Sequence, residues 1–284
     1  MATRKLAWNK FPHDAKAFAY AGGALKKAWP GLHAGDCEPF PDDKRATALL
    51  KVKGACPGGF SAAQLAAALQ DAWRAFHRGD FQQAFDIGQS LGAVGASVAV
   101  KSLGIHATYL VPQENEQVAR FEQAAAIAEA AQRILPDEAN SPYRLAFALG
   151  RYSQRISIAK ALKTGLAGKV RASLDRTLEL EPKHAEAHTA LALYHAEIIG
   201  KIGALIGGMT YGAKAAEAEK HIAAALKLTP LSPIAHVEHG NLLLLLYGEK
   251  KEDAAASAYE KAAGIKPCDA METLDAALAR EQIE

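Results

Sequence analysis

His184, His188 and His195 lie in the run HAEAHTALALYHAE, the first two at i and i+4 and the third seven residues further on. On a helix that spacing puts His184 and His188 on one face. Two imidazoles joined by a carboxylate would suit a zinc ion. The run lacks the glutamate of an HExxH helix, so metalloprotease chemistry would have no general base. A second pattern, Gly88-Gln89-Ser90-Leu91-Gly92, spells the G-x-S-x-G word of serine hydrolases. That chemistry needs a strand entering a tight turn, so that the serine is held exposed on strained backbone. Here the word continues a helical run begun at Asp80, and the chain offers no parallel strands. Glycines that let two helices approach closely are the expected use. A third group, His33, Asp36, Cys37, Glu38, Asp42 and Asp43, mixes ligand types without ligand spacing. Solvated loop residues are expected there.

Charge supplies a different kind of site. From Arg144 to Arg176 there are eight Lys and Arg (Arg144, Arg151, Arg155, Lys160, Lys163, Lys169, Arg171, Arg176) against one acid, Asp175. Tyr143 and Phe147 precede Arg151 and Arg155 at helical spacing, an aromatic-then-basic stripe on one face. Arginine could pair with a carboxylate or phosphate while the aromatic rings cover the apolar part of the same ligand. The whole chain carries a net charge of only +2 over 284 residues, so no nucleic-acid partner is expected. Cys37, Cys56 and Cys268 are far apart and match no zinc or redox spacing. Neither a Walker nor a dinucleotide glycine fingerprint is present. Neither a bound metal nor a cofactor is expected. The start, MATRKLAWNKFPHD, is basic but lacks the apolar run of a signal peptide. No stretch approaches the roughly 20 apolar residues of a spanning helix, which makes the cytoplasm the expected location.

What could position these groups is a set of helices. The chain is half hydrophobic and rich in alanine, with only 7% aromatic residues, which favours close-packed helices over sheets. Five prolines fall in residues 1–60 (Pro12, Pro30, Pro39, Pro41, Pro57), marking an irregular segment. One helix is predicted there over Asp14 to Trp29, stopped by Pro30-Gly31, and a shorter one over Asp42 to Lys53. Beyond Phe60, prolines punctuate long helical stretches. Four follow similar words: RILP at Pro136, ELEP at Pro182, KLTP at Pro230 and GIKP at Pro267, at spacings of 46, 48 and 37 residues. An amphipathic segment precedes each and another follows, so the unit is helix, turn, helix.

On these features the chain resembles the tetratricopeptide repeat family, whose unit is 34 residues in two antiparallel helices. Gly79-Asp80-Phe81-Gln82-Gln83-Ala84-Phe85 matches the family's turn and second helix, with Ala84 at the small position. Leu145-Ala146 and Leu191-Ala192 fill the large–small pair of the first helix, His239-Gly240-Asn241 resembles its signature, and Ala254–Pro267 resembles a second helix with its closing proline. The resemblance covers roughly residues 61–267, about five units. It implies an all-α, right-handed helical-hairpin solenoid, with 1–60 in front and a capping helix, Ala270 to Glu284, within 268–284. In that register His188, His195 and His236 fall where the family packs aromatic residues, so packing replaces metal binding as their expected role. The long periods imply first helices extended by about three turns in the third and fourth units, ending at Gly165–Gly168 and Gly207–Gly208. Ile198, Ile199, Ile202, Leu205 and Ile206 crowd one such arm, and any exposed face there would join copies of the chain or hold a ligand.

The implied function is non-catalytic: a scaffold or adaptor binding a protein or peptide, acidic in character, on its concave face. The inward residues expected from the register are Tyr143, Phe147, Arg151, Arg155, Leu193, Glu197 and Asn241, with Trp73 and Tyr109 from the earlier units. A rival expectation is a small-molecule or lipid-binding protein with an apolar pocket between the lengthened arms.

Overall fold

The structure is a computed structural model that describes residues 7–283, apart from the side chain of Leu162. The reading of Met1–Leu6 and the end of the expected cap at Glu284 lie outside the described residues. From Ala24 onward the described chain is a succession of helices, and among the described residues there is no strand. They are α1 (Ala24–Leu32), α2 (Asp43–Leu50), α3 (Ala62–His77), α4 (Phe81–Ser90), α5 (Ala96–Leu110), α6 (Glu114–Ile134), α7 (Asn140–Gln154) and α8 (Ile158–Lys163). There follow α9 (Leu166–Leu180), α10 (Ala185–Ile202), α11 (Ala204–Tyr211), α12 (Ala215–Leu228), α13 (Pro233–Tyr247), α14 (Glu252–Gly264) and α15 (Ala270–Glu281). The protein is all-α.

The starts of these helices are written into the sequence. Ser61 and Gln64 form a reciprocal capping box on α3, side chain to backbone at 3.2 and 2.9 Å. Asp42 and Asp269 cap α2 and α15 by accepting the backbone N–H of Arg45 and Glu272 at 2.9 and 2.8 Å. Pro233 opens α13, where a missing N–H costs nothing.

The chain divides into two compact units, Met1–Ala28 with Pro39–Leu166 and Trp29–Glu38 with Ala167–Glu284. In the first, α3 to α7 each pack on the next helix, and α5 also packs on α3 and α7. Its core is built from Leu49, Leu65, Leu69 and Leu91, then Phe85, Val100, Leu103 and Ala124, then Phe121 and Tyr152. In the second unit α10 packs on α12 and α13, and α13 packs on α14 and α15. Ala192, Ala196, Ala218, Ile222 and Leu242 form one of its clusters, and Val237, Ala255, Tyr259 and Ala279 another.

Small residues stand where helices touch. Ala84 and Ala192 are fully buried, and a Cβ on Gly240 would lie 2.5 Å from the ring of Tyr259. Replacing Ala192 with Leu should therefore destabilise the second unit by about 1–3 kcal/mol through overpacking. A urea midpoint equal to the wild type would show that α10 and α12 are not in close contact there.

Three expectations need correction. The helix predicted over Asp14–Trp29 is instead a 3-10 turn at Lys16–Phe18 followed by α1, because Tyr20 and Gly22 sit at positive φ and interrupt it. Pro30 does not end α1, which runs on to Leu32. The extended first helices are broken in two: α7 stops at Gln154 before α8, and α10 stops at Gly203, whose φ of +80° no ordinary helix accepts, before α11. Gly207 lies inside α11 rather than ending it, with Ile198 packed where its Cβ would stand.

Candidate functional site

Helix α7 carries Tyr143, Phe147 and Arg151 one turn apart, as expected, and Arg155 follows at its C-cap. Their surroundings differ from an open groove face. Tyr143 is buried, and Phe147 rests its ring where a Cβ on Gly104 of α5 would stand, 2.2 Å from ring carbon Cε1. Arg151 is half-buried and donates to the amide oxygen of Gln154 at 3.3 Å, while Arg155 is exposed. Trp73 was expected on the inward face; it is instead in the core of the first unit, its ring against Phe76 and His77 at 5.5 and 5.8 Å. Tyr109 is half-buried near the end of α5. A large aromatic ring lowers the free energy most when fully covered, which is why Trp73 and Tyr143 turn inward.

In the second unit Leu193 is half-buried on α10. Glu197, one turn on, forms an ion pair with Lys201 at 3.2 Å. Asn241 is engaged on both ends, donating to Glu238 at 2.7 Å and accepting from the Tyr259 hydroxyl at 2.8 Å. It fixes α13 against α14 and is not displayed to a ligand.

The histidines serve packing and capping. His184 caps α10, its Nδ1 accepting the N–H of Ala187 at 3.0 Å. His188 places Nε2 3.1 Å from the Pro182 carbonyl, so that nitrogen donates. Its Nδ1 lies 2.8 Å from His221 Nδ1, so one of these two nitrogens donates to the other. His195 is buried, stacks parallel to His221, and takes the Lys214 N–H at 3.3 Å. Burial foremost, then the neighbouring His188, pushes His221 down to about 4. Among the described residues no group of three or more His, Cys, Asp and Glu side chains is placed to hold a metal ion.

The loop at 33–38 is not the solvated stretch expected. His33 and Asp36 are buried and joined at 2.8 Å, with the Trp29 ring 4.0 Å from the imidazole. Asp36 is 0% exposed, because the loop is sewn to the start of α10: the Gly35 carbonyl receives the Glu186 N–H at 2.9 Å. Cys37, at a positive φ, has its thiol pushed up to about 11 by burial and then by Glu181, Asp36 and Glu186. A thiol so protonated at neutral pH is no nucleophile.

The arrangement that sequence reasoning missed lies on α4, α5 and α6. Residues 7–13 run across these helices without helical structure. Trp8 sits between Phe85 of α4 and His106 of α5, ring centroids 5.4 and 4.5 Å away, with the Arg120 guanidinium of α6 4.7 Å above it. His106 Nε2 accepts the Asn9 backbone N–H at 2.9 Å, and Arg120 donates to the Ala7 carbonyl. The Asn9 side chain donates to the Leu110 carbonyl. Phe11 lies on bare backbone at Gly79, where a Cβ would come within 2.7 Å of its ring. Burial, then the Arg120 charge, pushes His106 down to about 4, which keeps its lone pair for Asn9. His106 and Arg120 are 0% and 1% exposed. The Nδ1 of His106 and the Nε of Arg120 are buried without a hydrogen-bond partner among the described residues. Trp8 and Phe11 stand in a stretch with no helical periodicity, so no spacing tied them to His106 or Arg120. Two aromatic residues three apart in a run without helical periodicity were the one available signal.

No family model matches the chain, and no curated protein matches it.

Proposed function

We propose that this chain is a non-catalytic, tetratricopeptide-like helical-repeat scaffold that binds an extended segment of a protein partner. The observation that carries the reading is the clasped run at residues 7–13, gripped by side chains on successive helices. Helices have no free ladder edge, so a helical scaffold must hold an extended chain through side chains, as His106 and Arg120 do here. The repeat assignment draws on helices that pack on both their neighbour and next-but-one, α5 on α6 and α7 in the first unit and α10 on α11 and α12 in the second. Within this reading α7 adds the cationic end of the binding face through Arg151 and Arg155.

The test is panning of a random dodecapeptide library on the full-length protein and on its Trp8→Ser variant. Enriched peptides should bind with measurable affinity, and Arg151→Glu should weaken them at least tenfold, about 1.4 kcal/mol, with little change in the thermal midpoint. Peptides that ignore the charge reversal would remove α7 from the site. A library that yields nothing from either protein would sink the scaffold reading.

A second reading is favoured by one observation. Leu205, Ile206 and Met209 on α11 are 76%, 58% and 82% exposed, a concentration of apolar surface unusual for a free helix. A small apolar or lipid ligand, or a second copy of the chain, would cover it. Native mass spectrometry of untagged protein decides this reading: a co-purified ligand or a dimer mass lost on Met209→Ser supports it, and a bare monomer does not.

A further inference from the structure

Residues 7–13 can be a fixed part of the first unit or an occupant of a groove that exists to hold such segments. Three features separate these cases. The first is how the segment is held. Its Asn9 N–H goes to an imidazole and its Ala7 carbonyl to a guanidinium, so two buried side chains, about 100 positions away in sequence, serve its main chain. Burying a cation and an imidazole is costly, and hydrogen bonds to a main chain recover part of that cost for any sequence that lies there. The second is the shape of the surface. Phe85, His106 and Arg120 form a slot for one aromatic ring, and Gly79 leaves a notch for another three residues on. The third is the fit. Two buried donors, Arg120 Nε and the proton that His106 carries on Nδ1 when Nε2 accepts, find no acceptor among the described residues. A buried donor left unmade costs about 1–3 kcal/mol. An occupant that brings an acceptor to these donors would therefore fit the site better than the present segment does.

From this we infer that the α4–α6 groove is a recognition site for an extended partner segment with two aromatic anchors three residues apart and a carboxylate beside the first, in which Trp8-Asn9-Lys10-Phe11 sits as a built-in competitor. This rests on the scaffold reading and gives its partner a chemistry. The partner must displace the chain's own segment, whose tether holds it at a high effective concentration. Apparent affinity for any outside peptide is lowered by the fraction of time the groove is closed.

The test uses the full-length protein with Trp8→Ser and Phe11→Ser, which releases the segment. Circular dichroism and a melt first establish that the variant is folded. A fluorescent peptide spanning residues 5–14 is titrated into this variant and into the wild type, alongside the same peptide with Ala7→Asp. The inference expects binding to the variant, at least tenfold weaker binding to the wild type, tighter binding of the Ala7→Asp peptide, and loss of binding when Arg120→Met is added. Equal binding to variant and wild type, insensitive to Arg120→Met, places the peptide elsewhere and overturns the inference while leaving the scaffold reading standing. No binding to a folded variant overturns it too, and the library panning then decides the scaffold reading separately. Equal affinity of the two peptides overturns the carboxylate requirement. Should the double variant fail to fold, hydrogen exchange on the wild type with excess Ala7→Asp peptide answers the same question. The Asn9 amide, which His106 Nε2 accepts, must then lose protection, and unchanged protection there at a saturating peptide concentration overturns the inference.

Discussion

Lowering the pH from 7 toward 4 should destabilise both units through their buried histidines. His106 in the first unit and His221 in the second are each held near 4, against an ordinary value of 6.5, with burial the main cause in both. The direction of the effect follows from which state binds the proton. Below pH 6.5 the unfolded chain protonates these imidazoles, whereas the folded chain resists until about pH 4. The unfolded state binds more protons across that window, so stability falls as pH falls through it and is level above it. One pKa unit corresponds to about 1.4 kcal/mol, so His106 alone accounts for about 3 kcal/mol at full effect. Burial also lowers His195, His236 and His239, which adds to the loss in the second unit. The check is a series of thermal melts followed by far-ultraviolet ellipticity between pH 7.5 and 4.5. His106→Gln keeps an acceptor for Asn9 and should flatten the first unit's share of the slope. A midpoint that does not move between pH 7 and 4.5 would mean that these histidines are not held neutral by the fold.

Much of the architecture was legible because it rests on periodicity and small residues. Ala84, Ala192 and Gly240, small residues among larger apolar ones, stand at helix contacts, and the capping box at Ser61 and the caps at Asp42 and Asp269 are local rules. The helix breaks were less legible. Gly203 was one glycine among several, and nothing in its neighbourhood distinguished a bend from a continuing helix. The candidate site was barely legible for a physical reason. Spacing arguments find residues that share a face, and the face of Tyr143, Phe147 and Arg151 was found that way. They do not say whether a ring on that face turns into the core, as Tyr143 does, or whether Asn241 spends its amide on Glu238 and Tyr259. Contacts between Trp8, His106 and Arg120 link an irregular segment to helices far along the chain, and no local pattern encodes such a link. The same applies to His33 and Asp36, whose burial depends on the Gly35 carbonyl meeting the start of α10.

Gly95→Ala should produce a large loss of stability, and it bears on the G-x-S-x-G word through Gly88, which it faces. A Cβ on Gly95 would stand 2.1 Å from the carbonyl oxygen of Gly88, and one on Gly88 would stand 2.8 Å from the carbonyl oxygen of Gly95 and from a methyl of Val98. The obstacle is backbone in each direction, so no side-chain rotation relieves it. To admit the methyl, α4 must move away from the start of α5. That movement opens the packing of Leu91 on one side and of Phe85 against Ala99 and Val100 on the other. Ordinary overpacking costs about 1–3 kcal/mol, and a clash with main chain belongs at or above the top of that range. For a unit of this size the thermal midpoint should fall by roughly 5–10 °C or more. Ser90→Ala is the contrasting variant. Ser90 is exposed and its hydroxyl donates to the Ile87 carbonyl at 2.7 Å, within its own helix. Removing it should change stability by less than about 0.5 kcal/mol. The two results together say what Gly88 is for. A nucleophile elbow would make Ser90 indispensable and reactive toward a serine-directed phosphonate. A helix contact makes Gly88 and Gly95 indispensable and Ser90 silent. Phosphonate labelling at Ser90, or a Gly95→Ala protein that melts with the wild type, would reverse the assignment.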